Sequence, residues 1–417
     1  MTADSPFARF VLVACAAFAA LATQPATTAA EPKRFFRADA SDAAPYTLPD
    51  PLVSQAGRKL TTAAEWNNTR RPEVLELFRA HVYGRVPATA YRQSFTVVHE
   101  DPRAMNGAAA LKQMAIKIEA DGGNGKPVTI NLSLFIPNAR SGPAPAFQLI
   151  CNRSIENIDP TRERKSEFWP AEEGIARGYA MAAFFNGDVA PDKKDSHHEG
   201  IHGLLNRGTP APDAWGTLAA WAWGASRCLD YLQTDPAIAK DQVAVIGHSR
   251  GGKTALWAGA EDPRFALVCA NDSGCGGAAL TRRKTKEKET LPVINRAFPH
   301  WFNANFKTYN GREAELPIDQ HLLVALIAPR AVAVHSAEQD LWADPRGEFL
   351  SVVHARPVYQ LFGKHALGAV RDMPAIDEPR HGDGAHYYIR DGKHNLTLID
   401  WTSYWDFADR VFGRMSK

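Results

Sequence analysis

Val243-Ala244-Val245-Ile246-Gly247-His248-Ser249-Arg250-Gly251-Gly252-Lys253-Thr254-Ala255-Leu256-Trp257 runs three β-branched residues and an alanine into a serine flanked by small residues. Thr254 to Ala260 then reads as a helix. Strand, tight turn around Gly247-His248-Ser249-Arg250-Gly251, and helix make a nucleophile elbow. The glycines are required because the serine backbone is strained and a β-carbon on either flank would meet the strand or the helix. The hydroxyl is thereby exposed at the top of a sheet, over a helix N-terminus that favours developing negative charge.

A serine hydroxyl is a poor nucleophile at neutral pH and needs a base within reach. In an elbow fold the chain order is nucleophile, acid, histidine, the acid after a late strand and the histidine after the last one. The apolar run at 331–335 is followed by Ser336-Ala337-Glu338-Gln339-Asp340, and the run at 387–389 by Arg390-Asp391-Gly392-Lys393-His394. His394 is therefore the expected base; His381 and His386 compete on position but precede the end of the strand. One carboxylate must orient the imidazole and stabilise its charged form. Asp340 fits the usual place, with Glu338 a loop carboxylate, and Asp272 in Asn271-Asp272-Ser273 is the second or shared acid.

The rest of the chain is compatible with this chemistry. A 417-residue chain with 45% hydrophobic and 23% charged residues has the composition of a globular enzyme with ample core. A net charge of +2 gives no reason to invoke nucleic acid or a membrane surface. Arg9, the apolar run at 10–22 and Thr27-Thr28-Ala29-Ala30 read as an export signal over residues 1–30, the run being too short to span a bilayer. The mature chain, 31–417, is expected to be one secreted or periplasmic domain, monomeric and free of membrane contact. After cleavage Cys151, Cys228, Cys269 and Cys275 remain, without a C-x-x-C pair or a His/Cys cluster, so neither metal nor cofactor is expected.

Hydrophobic periodicity predicts a helix over about 61–84 and strands at 94–99, 113–118, 129–136, 144–151, 179–185, 266–270, 331–335 and 387–389. Helices are predicted at 215–232 and from about 400 to the C-terminus, and 281–311 reads as a basic, aromatic insertion. Strands alternating with helices imply an α/β fold with a mostly parallel sheet covered on both faces, a three-layer sandwich. The long loops at the strand C-termini would then build the site.

Several stretches together resemble one family. They are Gly247-His248-Ser249-Arg250-Gly251-Gly252-Lys253, the run 271–280, Phe298-Pro299-His300-Trp301-Phe302, the run 340–349 and Gly392-Lys393-His394, with Arg70-Arg71-Pro72-Glu73 and Tyr83-Gly84-Arg85-Val86-Pro87 further upstream. The chain resembles the glucuronoyl esterases, carbohydrate esterase family fifteen, which are α/β-hydrolases. The resemblance implies hydrolysis of esters of 4-O-methyl-glucuronic acid, as in lignin–glucuronoxylan cross-links, through an acyl-enzyme on Ser249. It implies that Arg250 stabilises the oxyanion with its backbone N–H and its guanidinium. It also implies that Lys253 and Glu289 contact the sugar and that Trp342 lines the uronate pocket, with Glu287 the alternative to Glu289 in a basic run. An acetyl-xylan or general carboxyl esterase is the rival within the fold. A carbohydrate-binding protein without catalysis is the rival outside it, against which a complete Ser249, acid and His394 set argues.

Overall fold

Apolar runs too short for helices become strands, and where every residue is apolar they become central ones. The computed structural model describes residues 33–36, 44–122, 125–367 and 372–414. The expected export signal lies outside them. The strands are β1 Tyr91–Ala104, β2 Ala109–Ala120, β3 Val128–Pro137, β4 Ala144–Cys151, β5 Ala180–Phe185, β6 Ile238–His248, β7 Leu267–Asn271, β8 Ala331–Ala337, β9 Arg380–His381 and β10 Ala385–Arg390. They form one sheet in the order β1-β2-β3-β5-β4-β6-β7-β8-β10-β9. From β5 to β10 every pairing is parallel. An antiparallel wing, β1 to β3, joins at β5, and β9 closes the other edge.

Side chains alternate between the two faces of this sheet. Val243 and Val245 of β6, Val268 and Ala270 of β7, and Val332 and Val334 of β8 enter one core with the helices Thr217–Leu232, Arg250–Glu261 and Pro345–Leu361. Ala244, Ile246, Leu267, Cys269, Ala331 and Ala333 enter the other, against Trp401, Tyr404 and Trp405 of the helix Leu398–Val411. This is the expected α/β-hydrolase sandwich. Cys151, Cys228, Cys269 and Cys275 are buried free thiols. Among the described residues no helix is long and apolar enough to cross a membrane.

The expected continuous helix at 61–84 is broken. Ala63–Glu65 and Arg71–Phe78 are α-helical, but Trp66–Arg70 and Arg79–Tyr83 are π-turns. In the first, the Arg71 N–H reaches back to Trp66 O, directly before Pro72, which has no N–H with which to continue the α ladder. The seventeen-residue helix Pro345–Leu361 was not read from the sequence, because Pro357 lies inside it and its apolar periodicity is weak. Asp344 caps it by accepting from Gly347 N at 3.0 Å.

That helix is tied to the sheet by one buried carboxylate. Glu348 accepts from Ser273 Oγ (2.7 Å), Gly274 N (2.9 Å) and Ser336 Oγ (2.6 Å), joining the loop after β7 to the strand β8. Burial pushes its pKa up to about 7 despite these donors. A carboxyl that holds its proton more tightly when folded stabilises the fold at low pH. That contribution is lost as pH rises from about 4.5 to about 7. Glu348→Gln should therefore remove a pH-dependent loss on the order of 3 kcal/mol. The deficit of the variant's Tm relative to the parent should be larger at pH 5 than at pH 8, read by thermal unfolding at both.

The elbow makes a second demand. A β-carbon on Gly247 would stand 2.1 Å from Gly251 O and 2.3 Å from Gly251 C, backbone atoms that cannot move aside. Gly247→Ala should cost more than about 3 kcal/mol or abolish soluble expression. Gly142→Ala, which meets nothing within 4 Å, should leave Tm within a degree or two.

Candidate active site

Ser249 ends the β6 turn with φ 56° and ψ −123°, a region that side-chain-bearing residues avoid. Its N–H donates to Asn271 O of β7 at 2.8 Å, and its carbonyl accepts from Lys253 N at 3.1 Å. Strand pairing and the first turn of the helix Arg250–Glu261 thus fix the residue from both sides. A β-carbon on Gly251 would be crowded, 2.9 Å from Asn152 Oδ1 and 3.1 Å from Ile150 O of β4.

The loops after β8 and β10 meet beside His248, the residue before Ser249, whose ring centroid lies 4.4 Å from that of His394. His394 Nδ1 lies 2.5 Å from Asp340 Oδ2, while Asp340 Oδ1 accepts from Ala343 N at 3.3 Å, so both oxygens of the carboxylate are oriented. With Nδ1 committed to Asp340, Nε2 is the ring nitrogen available to take a proton. The loop carrying the ring is shaped by Arg390, which the sequence reading passed over. Its guanidinium donates to the carbonyls on either side of His394, Lys393 O at 2.9 Å and Asn395 O at 2.6 Å, and its Nε reaches Asp400 Oδ2 at 2.8 Å.

Asp272 stands behind the pair. Its Oδ2 is 4.0 Å from His394 Nδ1, against 2.5 Å for Asp340. Its own oxygens accept from Ala337 N (2.7 Å) and Asn395 N (3.3 Å), and Arg390 lies 3.7 Å away. Complete burial, with Asp400, Asp340 and Glu348 nearby, pushes its carboxyl well above the usual range. Of the two expected acids, Asp340 is bonded to the ring and Asp272 supports the loop.

His248, before the serine, bonds through Nδ1 to Asn271 Oδ1 at 2.6 Å and packs on the His394 ring with centroids 4.4 Å apart. Burial and the neighbouring His394 hold its pKa well below normal, so the ring beneath the base is neutral and does not oppose an imidazolium above it. His248, Asp272 and His394 are close enough to share a cation, but each Nδ1 already has a short partner and both Asp272 oxygens accept backbone N–H groups. The cluster reads as a hydrogen-bonded knot. The competing histidines lie elsewhere: His386 Nε2 bonds Ser403 Oγ at 3.0 Å and lines a different cavity together with His381.

The residues expected to meet the sugar are also near one another. Lys253 is buried, its Nζ donating to Ser273 O at 2.5 Å. Glu289 is 7% exposed and its N–H donates to Trp342 O at 3.0 Å. Burial raises its pKa, while the Lys253 charge acts in the opposite sense. Glu287 is exposed. Trp342 is 52% exposed, a large apolar face left open beside this group. Within the basic run, Arg283 and Lys288 are buried and both pair with Asp344, Lys288 Nζ at 3.1 Å from Oδ2.

Arg250 turns its guanidinium onto an aromatic wall, 4.8 Å from the Trp301 ring centroid and 5.4 Å from that of Phe298. Its NH1 pairs with Asp192. Asp192 was not singled out from sequence, because nothing in the polar loop after β5 distinguishes it from its neighbours.

Comparison with known proteins gives the family of the chain. The family profile described as glucuronyl esterase, fungi, matches residues 119–363. A carbohydrate esterase from an unknown prokaryotic organism is 40% identical over 90% of this chain and 92% of its own length. The 4-O-methyl-glucuronoyl methylesterase of Schizophyllum commune is 30% identical over 81% of this chain and 80% of its own. The structure of a glucuronoyl esterase from Solibacter usitatus superposes with a TM-score of 0.83 at 38% identity, covering 90% of this chain and all of that one. With the profile spanning more than half the chain and close relatives spanning most of it, the protein belongs to the glucuronoyl esterases, a family of carboxylic ester hydrolases.

Proposed function

We propose that this chain is an exported serine esterase that hydrolyses esters of 4-O-methyl-glucuronic acid, as in lignin–glucuronoxylan cross-links, with residues 1–30 as its export signal. Ser249 Oγ attacks the uronate carbonyl while His394 takes its proton. Asp340 stabilises the resulting imidazolium, and Asp272 acts as a second acid through the loop. The Arg250 backbone N–H and guanidinium stabilise the tetrahedral oxyanion. The alcohol leaves with the proton from His394, and water then releases the uronate from Ser249. Lys253 and Glu289 bind sugar hydroxyls, and Trp342 offers the ring face a platform.

The observation that carries the reading is the 2.5 Å bond between His394 and Asp340, delivered by the loops after β10 and β8, with the His394 ring packed on His248, the residue before a serine at φ 56°. Substrate class is supported by the Schizophyllum relative's name and by the two cations, Arg250 and Lys253, that flank Trp301 and suit a carboxylate product.

Ser249→Ala should cut hydrolysis of benzyl glucuronate by more than about a thousandfold with Tm unchanged. In the same assay Asp340→Asn should lower kcat by about a hundredfold or more and Asp272→Asn by about tenfold or less. The reverse order would make Asp272 the acid. Turnover of acetylated xylan equal to that of a methyl glucuronate would replace the substrate assignment with a general carboxyl esterase.

A further inference from the structure

The motif Phe298-Pro299-His300-Trp301-Phe302 is given no task by the reading above, yet it forms the wall on which Arg250 rests. Phe298 and Trp301 stack at 3.7 Å with an interplanar angle of 2°. The indole Nε1 of Trp301 and Nε2 of His300 both point to one oxygen, Asp192 Oδ1, each at 2.8 Å. The other oxygen, Oδ2, receives NH1 of Arg250. One carboxylate therefore joins the loop after β5, the 298–301 wall and the residue that follows Ser249.

The wall is itself anchored in the core. His300 O accepts from Thr217 N at 2.9 Å and Trp301 O from Leu218 N at 3.2 Å, so it is bonded to the first turn of the buried helix Thr217–Leu232. Gly216 permits that approach, since a β-carbon there would stand 2.2 Å from Trp301 O. Burial alone would raise the Asp192 carboxyl, but His300, Trp301 and Arg250 outweigh it and hold it at about 2, ionised throughout the neutral range.

We propose that Asp192, braced by His300 and Trp301, is a positioning residue that fixes the Arg250 guanidinium for the oxyanion. An arginine side chain left to itself samples many rotamers, and ordering it during the reaction would raise the barrier. Held in advance between an aromatic face and a carboxylate, it stabilises developing charge without reorganising. Asp192 draws off part of the positive charge, but fixed placement outweighs this because oxyanion stabilisation depends on donors already aimed at the developing charge.

The inference rests on the reading of Arg250 as the oxyanion residue, and the test separates the two. Kinetic constants for benzyl glucuronate are measured for Asp192→Asn, Arg250→Met, the double variant and Asp192→Glu, with Tm recorded for each. Asp192→Asn should lower kcat about tenfold to a hundredfold with KM within about twofold, and Asp192→Glu should regain part of it. In the Arg250→Met background, Asp192→Asn should cost nothing further, because the group it positions is gone. An equal loss in both backgrounds, or full kcat in Asp192→Asn, overturns the proposal while leaving Arg250 its role. Full kcat in Arg250→Met removes that role, and the proposal with it. Should Asp192→Asn prove unstable, His300→Gln gives a second variant: its smaller kcat loss should likewise vanish beside Arg250→Met, and a loss that persists there overturns the proposal.

Discussion

Two missing β-carbons govern the geometry of this protein. At Gly247 a β-carbon would stand 2.1 Å from Gly251 O, and at Gly251 it would crowd Ile150 O of β4 at 3.1 Å, so β6 turns closely into the helix Arg250–Glu261 and Ser249 is left at a φ of 56° between them. The strain persists because the surrounding structure over-determines it, through the Ser249 N–H on Asn271 O and the Lys253 N–H on Ser249 O. Once the serine is fixed there, the parallel run β6-β7-β8-β10 decides the rest. Successive strands end at the same edge, so the loops bearing Asp272, Asp340 and His394 are brought to one place although they are far apart in sequence.

What surrounds the serine is a set of buried charges, each with partners. Arg390, Asp400 and Asp272 lie behind the His394 loop, and the guanidinium satisfies the carbonyls on both sides of the histidine. Arg283 and Lys288 converge on Asp344, tying the segment before Glu289 to the first turn of Pro345–Leu361. Buried ion pairs add little net stability compared with apolar packing, but removing one partner is costly because it strands the other. Their value here is in fixing loops: each network holds a segment that carries a polar group toward the same edge of the sheet.

Much of this was legible from the chain. The fully apolar strands, the elbow and the place of His394 follow from local periodicity and chain order, and they hold because burial of those side chains leaves one arrangement of the sheet. The choice between Asp340 and Asp272 was not legible, since a difference of 2.5 against 4.0 Å is set by loop conformation. Lys288 and Glu289 look like solvent-facing residues until Asp344 and Lys253 are placed against them. Asp192 carried no signal at all, because its partners His300 and Trp301 are about a hundred residues away and only the fold brings them together.

The central claim is that the strained hydroxyl is the group that reacts. Treatment of the folded protein with a fluorophosphonate, followed by proteolysis and mass spectrometry, tests it without reference to any natural substrate. The account predicts a single stoichiometric adduct on the peptide containing Ser249, suppressed when His394 is replaced by alanine. No adduct on that peptide, or labelling of Ser249 undiminished by loss of His394, would contradict it.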